Sequence, residues 1–138
     1  MLRTSLERSI IRNMRDTTKP RNNGEWTEAR YRSFIKGGLR SVSVRWPPRY
    51  KCLNDAKRGK KINPSSGRLA EHYECNRCHN LFPGKEVEVN HLQPVVPISG
   101  FTTWDETIER MFCEAPGLEV CCKPCHRLIT KLENDERV

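Results

Sequence analysis

The sequence lacks any long apolar run, and this absence excludes several classes of protein. No stretch of about 18 apolar residues is present, so no membrane-spanning helix is expected. The N-terminal residues also lack the apolar core of a secretory signal. Hydrophobic residues make up 36% of the 138 residues and charged residues 30%, which leaves material for one modest core. We therefore expect an intracellular protein that gains stability from a metal or a cross-link.

The cysteines are the residues that could provide this stabilisation. Seven are present, and an odd number does not fit a closed set of disulfides. Disulfides are also disfavoured in a reducing cytosol. Metal ligation is therefore the better interpretation for some of the cysteines.

Negative charge is scarce in the first part of the chain. Residues 1–61 contain 17 of the 25 Lys and Arg residues but only 5 of the 17 Asp and Glu residues. The remainder, residues 62–138, is net acidic. This division predicts that the N-terminal half meets a polyanion such as nucleic acid. A basic tail that merely keeps the protein in solution is the alternative.

The first 38 residues predict two helices. Residues 27–36 have helical character, and Gly37 and Gly38 follow as a predicted C-terminal stop. The run 16–24 contains Pro20 and Gly24 without periodicity, which predicts a loop. An amphipathic helix before it is indicated by apolar residues spaced four apart, namely Leu2, Leu6, Ile10 and Met14.

Two basic segments follow. Residues 39–51 alternate basic and apolar side chains around Pro47 and Pro48, which predicts an extended conformation. Trp46 in this segment either stacks on nucleic acid or anchors a core, and the sequence does not decide between the two. Residues 57–68 predict a linker or a loop that follows phosphates. The candidate DNA-binding residues of both segments are Arg40, Arg45, Arg49, Lys51, Lys57, Arg58, Lys60 and Lys61.

Two Cys-x-x-Cys pairs predict a zinc site. A two-residue spacing lets one tight turn direct two sulfurs at the same ion, and two such turns complete a tetrahedral structural site. The predicted ligands are Cys75, Cys78, Cys122 and Cys125. Cys121 is excluded because adjacent residues of a strand point to opposite faces. Cys52 and Cys113 have no partner at ligand spacing and are interpreted as buried free thiols.

Strands and a closing helix are predicted around these pairs. Residues 85–91 alternate apolar and polar side chains and end at His91, and 118–122 form a second short apolar strand. A helix is expected from Pro124 to about Glu136. The pattern Thr103-x-x-Glu106 is a capping box that predicts a short structural helix in the connection.

Two histidines are the candidate catalytic residues. His126 follows Cys125 directly, so a zinc ion held by Cys125 would also fix this imidazole. His91 ends the strand that lies beside the predicted helix. Two imidazoles near a basic surface suit single-metal phosphodiester hydrolysis, in which one holds a divalent ion and the other accepts a proton from water.

Residues 73–130 resemble the zinc-bearing HNH (ββα-metal) endonucleases, especially the small ones of tailed bacteriophages. The resemblance is carried by Cys75-x-x-Cys78, Val89-Asn90-His91, Pro94, Leu118-x-x-x-Cys122 and Cys122-Lys123-Pro124-Cys125-His126. The upstream Arg45-Trp46-Pro47-Pro48-Arg49 is similar to a basic segment in some of these proteins. The resemblance implies that His91 is the general base and that His126 is a ligand of a catalytic Mg²⁺ or similar ion.

The sequence departs from the family pattern at three positions. Asn90 stands where the family has an acidic metal ligand, and an amide oxygen can coordinate a hard cation without contributing charge. Gly117 occupies the position of the family's middle asparagine, and Ile129 that of a common lysine. Asp105 or Glu114 could supply the missing carboxylate.

The predicted protein is an α+β protein of two parts. Residues 1–68 form a basic, mainly helical arm and linker, and residues 69–138 form the ββα-metal HNH module, whose structural zinc is held by the four cysteines. The resemblance implies hydrolysis of double-stranded DNA in the cytoplasm of an infected bacterial host, with phage packaging or other phage or host proteins as further partners. The alternative is an HNH-fold module that binds DNA or protein and has weakened or lost catalysis.

Overall fold

The computed structural model describes residues 4–7 and 16–137. They form a mixed α+β structure with two small antiparallel sheets. The predicted amphipathic helix falls largely outside the described residues, since Leu2, Ile10 and Met14 are not among them. Of its four apolar residues only Leu6 is described, and its side chain is exposed.

Helix α1 spans Glu28–Ser43 and begins as predicted, with the Thr27 side chain accepting a hydrogen bond from the Arg30 N–H at 3.1 Å. The predicted stop at Gly37 and Gly38 is wrong, because the helix continues through both glycines. A glycine inside a helix costs only about 1 kcal/mol. Two glycines in a 16-residue helix are therefore tolerated, and the helix ends only after Ser43, which is buried.

Helix α2 spans Pro47–Asp55, where the sequence predicted an extended segment. That prediction is wrong because the two prolines occupy the first positions of the helix. The N–H groups of a helix's first turn have no intrahelical partner, so proline loses no hydrogen bond there. The proline pair therefore starts a helix here.

A three-stranded sheet contains β1 (Lys57–Ile62), β2 (Leu69–Glu74) and β3 (Leu81–Pro83), in that order. The prediction of a linker over 57–68 is wrong for β1, which pairs antiparallel with β2. Every residue of β1 is exposed, so the strand has no apolar alternation that sequence inspection can detect. This sheet also crosses the domain boundary that was predicted after residue 68.

A two-stranded sheet and its helix follow. A short turn at Gly84–Glu86 leads into β4 (Val87–His91), and β5 (Leu118–Cys122) runs directly into helix α4 (Lys123–Glu136). The long connection contains helix α3 (Trp104–Met111), which Thr103 caps by accepting the Glu106 N–H at 3.1 Å. The predicted order of strand, connection, strand and helix is confirmed. No helix in the described part of the chain is long and apolar enough to cross a membrane.

The core is small and centred on cysteine. Cys75 and Cys121 are fully buried and Cys122 nearly so, with Phe82, Cys125 and Ile129 packed around them. Such a core buries little hydrocarbon, so the packing alone supplies limited stability. Metal ligation at this position would stabilise the place where the two sheets and α4 meet.

Candidate functional site

Four cysteine sulfurs form the clearest candidate site. The Sγ atoms of Cys75, Cys78, Cys122 and Cys125 all lie within 4.8 Å of one another, and those of Cys78 and Cys122 are 3.9 Å apart. Ligands at the Zn–S distance of about 2.3 Å around a tetrahedral ion are separated by about 3.8 Å. The donor set and its spacing therefore fit a structural zinc ion, and the predicted ligand set is confirmed as a cluster that can hold a metal.

The first Cys-x-x-Cys turn has a geometry suited to metal binding. The backbone N–H groups of Arg77 and Cys78 point at Cys75 Sγ, at 3.4 and 3.5 Å. The turn closes with His79 at φ 62°, a left-handed conformation that is uncommon for residues other than glycine. The His79 N–H donates to the Cys75 carbonyl at 2.9 Å. The local backbone is thus bent so that both sulfurs face the same point.

The surroundings of Cys75 favour its thiolate. Burial alone would raise the pKa of the Cys75 thiol, but backbone N–H groups of Cys122, Cys78 and Arg77 lower it to about 6. A thiolate is the form that ligates zinc. This part of the site therefore needs little rearrangement to receive an ion.

The remaining cysteines lie outside the cluster. Cys121 is fully buried, and its Sγ donates to Glu119 Oε1 at 3.0 Å, so its exclusion from the ligand set is confirmed. Cys52 and Cys113 are free thiols as predicted, but they are half-buried and not fully buried. Burial raises the pKa of both thiols.

The two faces of β4 determine which candidate side chains can approach one another. Across the sheet, Asn90 lies opposite Glu119 and Glu88 lies opposite Cys121. Because successive side chains of a strand alternate between faces, Glu88 and Asn90 share one face with these partners. His91 leaves from the other face, where it lies opposite Leu118.

His126 lies on the face of Glu88. Its Nδ1 is 2.8 Å from Glu88 Oε2, and the side chains are 32% and 43% exposed. The sequence singled out His126 but not Glu88. Alternation along β4 places Glu88 beside Asn90, but only the position of α4 reveals that Glu88 meets His126.

Asn90 is buried in a polar network around Glu119. Its Nδ2 donates to Glu119 Oε1 at 3.3 Å, and Arg77 Nε and Asn76 Nδ2 donate to the same carboxylate at 2.6 and 2.9 Å. Burial alone would raise the pKa of Glu119, but the hydrogen bonds from Cys121, Arg77, Asn76 and Asn90 lower it. Because the Asn90 amide nitrogen is hydrogen-bonded to Glu119, Oδ1 is the atom of this side chain that can ligate a cation.

His91 has its own partner. Its Nε2 donates to the main-chain carbonyl of Met111 at 2.9 Å, since a carbonyl oxygen can only accept. Half-burial lowers the pKa of His91; the Met111 carbonyl opposes this, and Arg49 and Arg40 add to it. The neutral ring therefore keeps a free lone pair on Nδ1. No hydrogen bond or ion pair joins His91 to His126 or to Asn90 among the residues that the structure describes.

The other residues that were considered for the site lie apart from it. Asp105 and Glu114 are exposed, and no hydrogen bond or ion pair of the described residues joins either side chain to His126 or Asn90. Gly117 accepts the Leu92 N–H at 2.9 Å, one residue beyond His91. Within residues 4–7 and 16–137, the four cysteines are the only group of three or more Cys, His, Asp or Glu side chains that could share one metal ion.

The candidate DNA-binding side chains are largely exposed. Two of them form ion pairs: Lys51 lies 3.0 Å from Asp55, and Arg58 lies 3.6 Å from Glu74. Arg49 is half-buried. The rest are exposed and make no ion pair with any described residue, namely Arg40, Arg45, Lys57, Lys60 and Lys61. These side chains are available to a polyanion.

Trp46 is half-buried and packs against neighbouring elements of the protein. Its Nε1 donates to the Cys113 carbonyl at 2.7 Å, and its ring meets Phe112 edge to face with centroids 5.7 Å apart. Of the two alternatives left open by the sequence, the structure therefore favours the core anchor. Trp46 links the start of α2 to the end of α3, and the neighbouring arginines keep their exposure.

No family model matches the sequence, and neither a curated protein nor a solved structure shows a significant match. The resemblance described above therefore depends on its sequence motifs alone.

Proposed function

We propose that this protein is a metal-dependent endonuclease that hydrolyses phosphodiester bonds of DNA, with β4, β5 and α4 as its ββα-metal HNH module. The observation that carries the proposal is the contact between His126 and Glu88 at 2.8 Å, directly beside the four-cysteine cluster. An imidazole and a carboxylate thus converge between a helix and a strand. The exposed basic residues of α1, α2 and β1 supply attraction to the phosphate backbone.

The proposed chemistry assigns a separate role to each residue. A divalent ion such as Mg²⁺ would be held by His126 Nε2 and Asn90 Oδ1, and when bound it would stabilise charge that develops on the phosphate. His91 would accept the proton of the attacking water through Nδ1, because its Nε2 is occupied by Met111. Its lowered pKa keeps it neutral and able to accept. Because His91 leaves β4 from the face opposite Asn90, the mechanism requires a phosphate at the end of β4 that Nδ1 of His91 and a cation held by His126 can reach from two sides.

A second candidate function is a zinc-stabilised DNA-binding protein without catalysis. The specific observation in its favour is the pair of positions Asn90 and Gly117. Asn90 is buried and its amide nitrogen serves Glu119, and Gly117 has no side chain that could ligate. Loss of two metal ligands would leave the scaffold and its basic surface intact.

Plasmid cleavage measured together with DNA binding separates the two candidates. The zinc-loaded protein is incubated with supercoiled plasmid in Mg²⁺, Mn²⁺ and Ni²⁺, and binding to a short duplex is followed by fluorescence anisotropy. The nuclease predicts nicking that is lost in His91→Ala while binding is retained. Binding without cleavage in any of the three metals would contradict the nuclease and support the binding protein.

A further inference from the structure

The hairpin of β1 and β2 projects beyond the sheet to which it belongs. Strand β3 pairs with residues 72–74 of β2, whereas β1 pairs with β2 as far as Ile62 and Leu69. Residues 69–71 therefore have β1 as their only neighbouring strand in the described part of the chain. At about 3.3 Å per residue, this two-stranded part extends about 10 Å beyond β3, before the turn is added.

The end of this hairpin, residues 60–69, carries an exposed apolar pair and is called the hairpin tip below. Ile62 and Leu69 lie directly opposite each other in the strand register, so their side chains share one face. The two residues are 59% and 66% exposed. A single exposed apolar residue is ordinary, but here two adjacent ones stand at the end of a projecting ribbon, where their packing contributes little to the fold.

Positive charge surrounds this apolar pair. The hairpin tip contains Lys60, Lys61 and Arg68 and no acidic residue, and all three cations are exposed without an ion pair to a described residue. Glu71 lies opposite Lys60, but its Oε1 accepts the Gly59 N–H at 3.1 Å. Apolar side chains among free cations match a DNA groove, where sugars and bases lie between two rows of phosphates.

The turn of the hairpin tip is held by its own hydrogen bonds. Asn63 Oδ1 accepts from the N–H and the hydroxyl of Ser65 at 3.0 and 2.8 Å, and the Asn63 N–H donates to the Arg68 carbonyl at 2.7 Å. Gly67 closes the turn at φ 70°, a conformation that glycine adopts without strain. A turn held in this way loses little conformational entropy when it binds.

We propose that the hairpin tip enters the minor groove of double-stranded DNA, where Ile62 and Leu69 press against a base step and bend the duplex. Lys60, Lys61 and Arg68 contact the phosphates on either side. The inference deepens the proposed function and rests on it for DNA as the partner. Leucine and isoleucine are among the side chains that proteins insert between base steps from the minor groove, which kinks the duplex by about 20° to 90°.

The dimensions of the ribbon explain why its entry bends DNA. The minor groove is about 7.5 Å deep and about 6 Å wide, so a projection of about 10 Å can reach its floor. Two strands about 4.8 Å apart, with their side chains, are wider than the groove. Entry must therefore open the groove, and an opened minor groove bends the duplex towards the major groove.

DNA bending is the first readout, because a hairpin that only attracts phosphates would not cause it. The zinc-loaded, full-length protein is added, without Mg²⁺ or Mn²⁺, to a short duplex with a fluorophore pair at its ends, and energy transfer is measured at saturation. The wild type should bend the duplex by about 20° or more. Ile62→Thr with Leu69→Thr, which keeps residues suited to a strand, should abolish the bend and weaken binding by about 10-fold.

Two control variants separate the role of the apolar pair from loss of apolar surface in general. Exchange of the two side chains, Ile62→Leu with Leu69→Ile, should retain the bend. Leu128→Gln with Leu132→Gln removes two apolar side chains of similar exposure, 58% and 55%, from α4, and it should also retain the bend. A straight duplex in the saturated wild-type complex would overturn the inference, as would an equal bend in the threonine variant.

Unstacking at the bend is the second readout. A duplex that contains 2-aminopurine fluoresces more strongly when that base is unstacked, so the probe base is moved along the duplex and its emission is recorded at saturation. The wild type should raise the emission at one or two neighbouring steps, and the threonine variant should not. Vesicles of phosphatidylcholine and phosphatidylserine test the other partner of suitable charge. Vesicle binding that depends on Ile62 and Leu69, with no bend in DNA, would overturn the inference.

The outcomes also distinguish this inference from the proposed function. If the wild type bends DNA through Ile62 and Leu69 but no form of the protein nicks plasmid in any metal, the hairpin's role stands and the nuclease proposal fails. If the wild type nicks plasmid but leaves the duplex straight, the nuclease stands and the hairpin's role fails.

Discussion

Asn90 and Glu119 face each other across β4 and β5, with the amide nitrogen 3.3 Å from the buried carboxylate. A carboxylate at position 90 would not be able to donate to Glu119. This relationship gives a physical reason for the amide at a position where the HNH pattern has an acidic residue. The same face of β4 carries Glu88, so the local charge is arranged differently from the pattern.

Asn90→Asp should therefore destabilise the protein when no divalent cation is present. Two carboxylates at hydrogen-bonding distance repel each other, and Glu119 loses a donor, which should cost about 1 to 3 kcal/mol. Added Mn²⁺ should recover part of this loss if the site binds the cation. Urea unfolding of the zinc-loaded protein with and without Mn²⁺ measures both effects. Asn134→Asp, at an exposed position of α4, is the control, and equal behaviour of the two variants would contradict the account.

Gly117→Asn introduces the asparagine that the HNH pattern has at this position, but the added side chain meets an obstacle. A Cβ atom at position 117 would lie 3.0 Å from Cys113 Sγ and 3.4 Å from its Cβ. We expect the single variant to lose about 1 kcal/mol or more of stability, as in other cases of overpacking. The double variant Cys113→Ala with Gly117→Asn should recover part of that loss. Denaturant unfolding of both variants and of Cys113→Ala alone measures the coupling, and simple additivity would contradict the predicted contact.

Lys60 and Lys61 on β1 should contribute to DNA affinity through phosphate contacts. Both are exposed and neither forms an ion pair with a described residue. Each phosphate contact contributes about 0.9 to the slope of log affinity against log salt concentration. The double variant to glutamine should lower that slope by about 1 to 2. Lys85→Gln with Lys131→Gln removes the same charge from the C-terminal half and is the control, and an unchanged slope in the Lys60 and Lys61 variant would exclude their contact with DNA.

His91 should titrate below the ordinary histidine pKa of about 6.5. Half-burial lowers its pKa, and Arg49 and Arg40 add to the effect. Because the neutral ring is the form that accepts a proton, His91-dependent cleavage should persist as the pH falls through about 6.5 and decline only as it passes the lowered pKa. NMR titration of His91 and a pH–rate profile check this. Arg49→Gln should move both midpoints upward, and a His91 midpoint above the ordinary value would contradict the structure.

The sequence predicts those parts of the fold that carry periodicity or cysteine spacing. The alternation before His91, the apolar run 118–122 and the motif of Cys122 to His126 correspond to β4, β5 and the start of α4. The four ligand candidates also come together as the spacing requires. Local patterns suffice here because each element presents one apolar face or one tight turn.

The parts that sequence inspection missed depend on pairing and position. Strand β1 has no buried face, so its pairing with β2 leaves no pattern in the sequence. The helix that begins at Pro47 and Pro48 depends on their being the first residues of the helix. The contact of Glu88 with His126 and the network around Glu119 need the register of β4 with β5 and the position of α4. Residue composition and motif spacing reveal neither the register of these strands nor the position of the helix.

Cobalt substitution of the four-cysteine cluster tests the basis of this account most directly. Tetrahedral thiolate coordination gives Co²⁺ a strong and characteristic visible absorption, which octahedral oxygen coordination does not. We predict one Co²⁺ ion per chain by native mass spectrometry, the spectrum of a tetrathiolate site, and loss of that spectrum in Cys78→Ser and Cys125→Ser but not in Cys52→Ser. A weak octahedral spectrum, or uptake that is unaffected by serine at Cys78 and Cys125, would contradict the metal centre and with it the placement of His126.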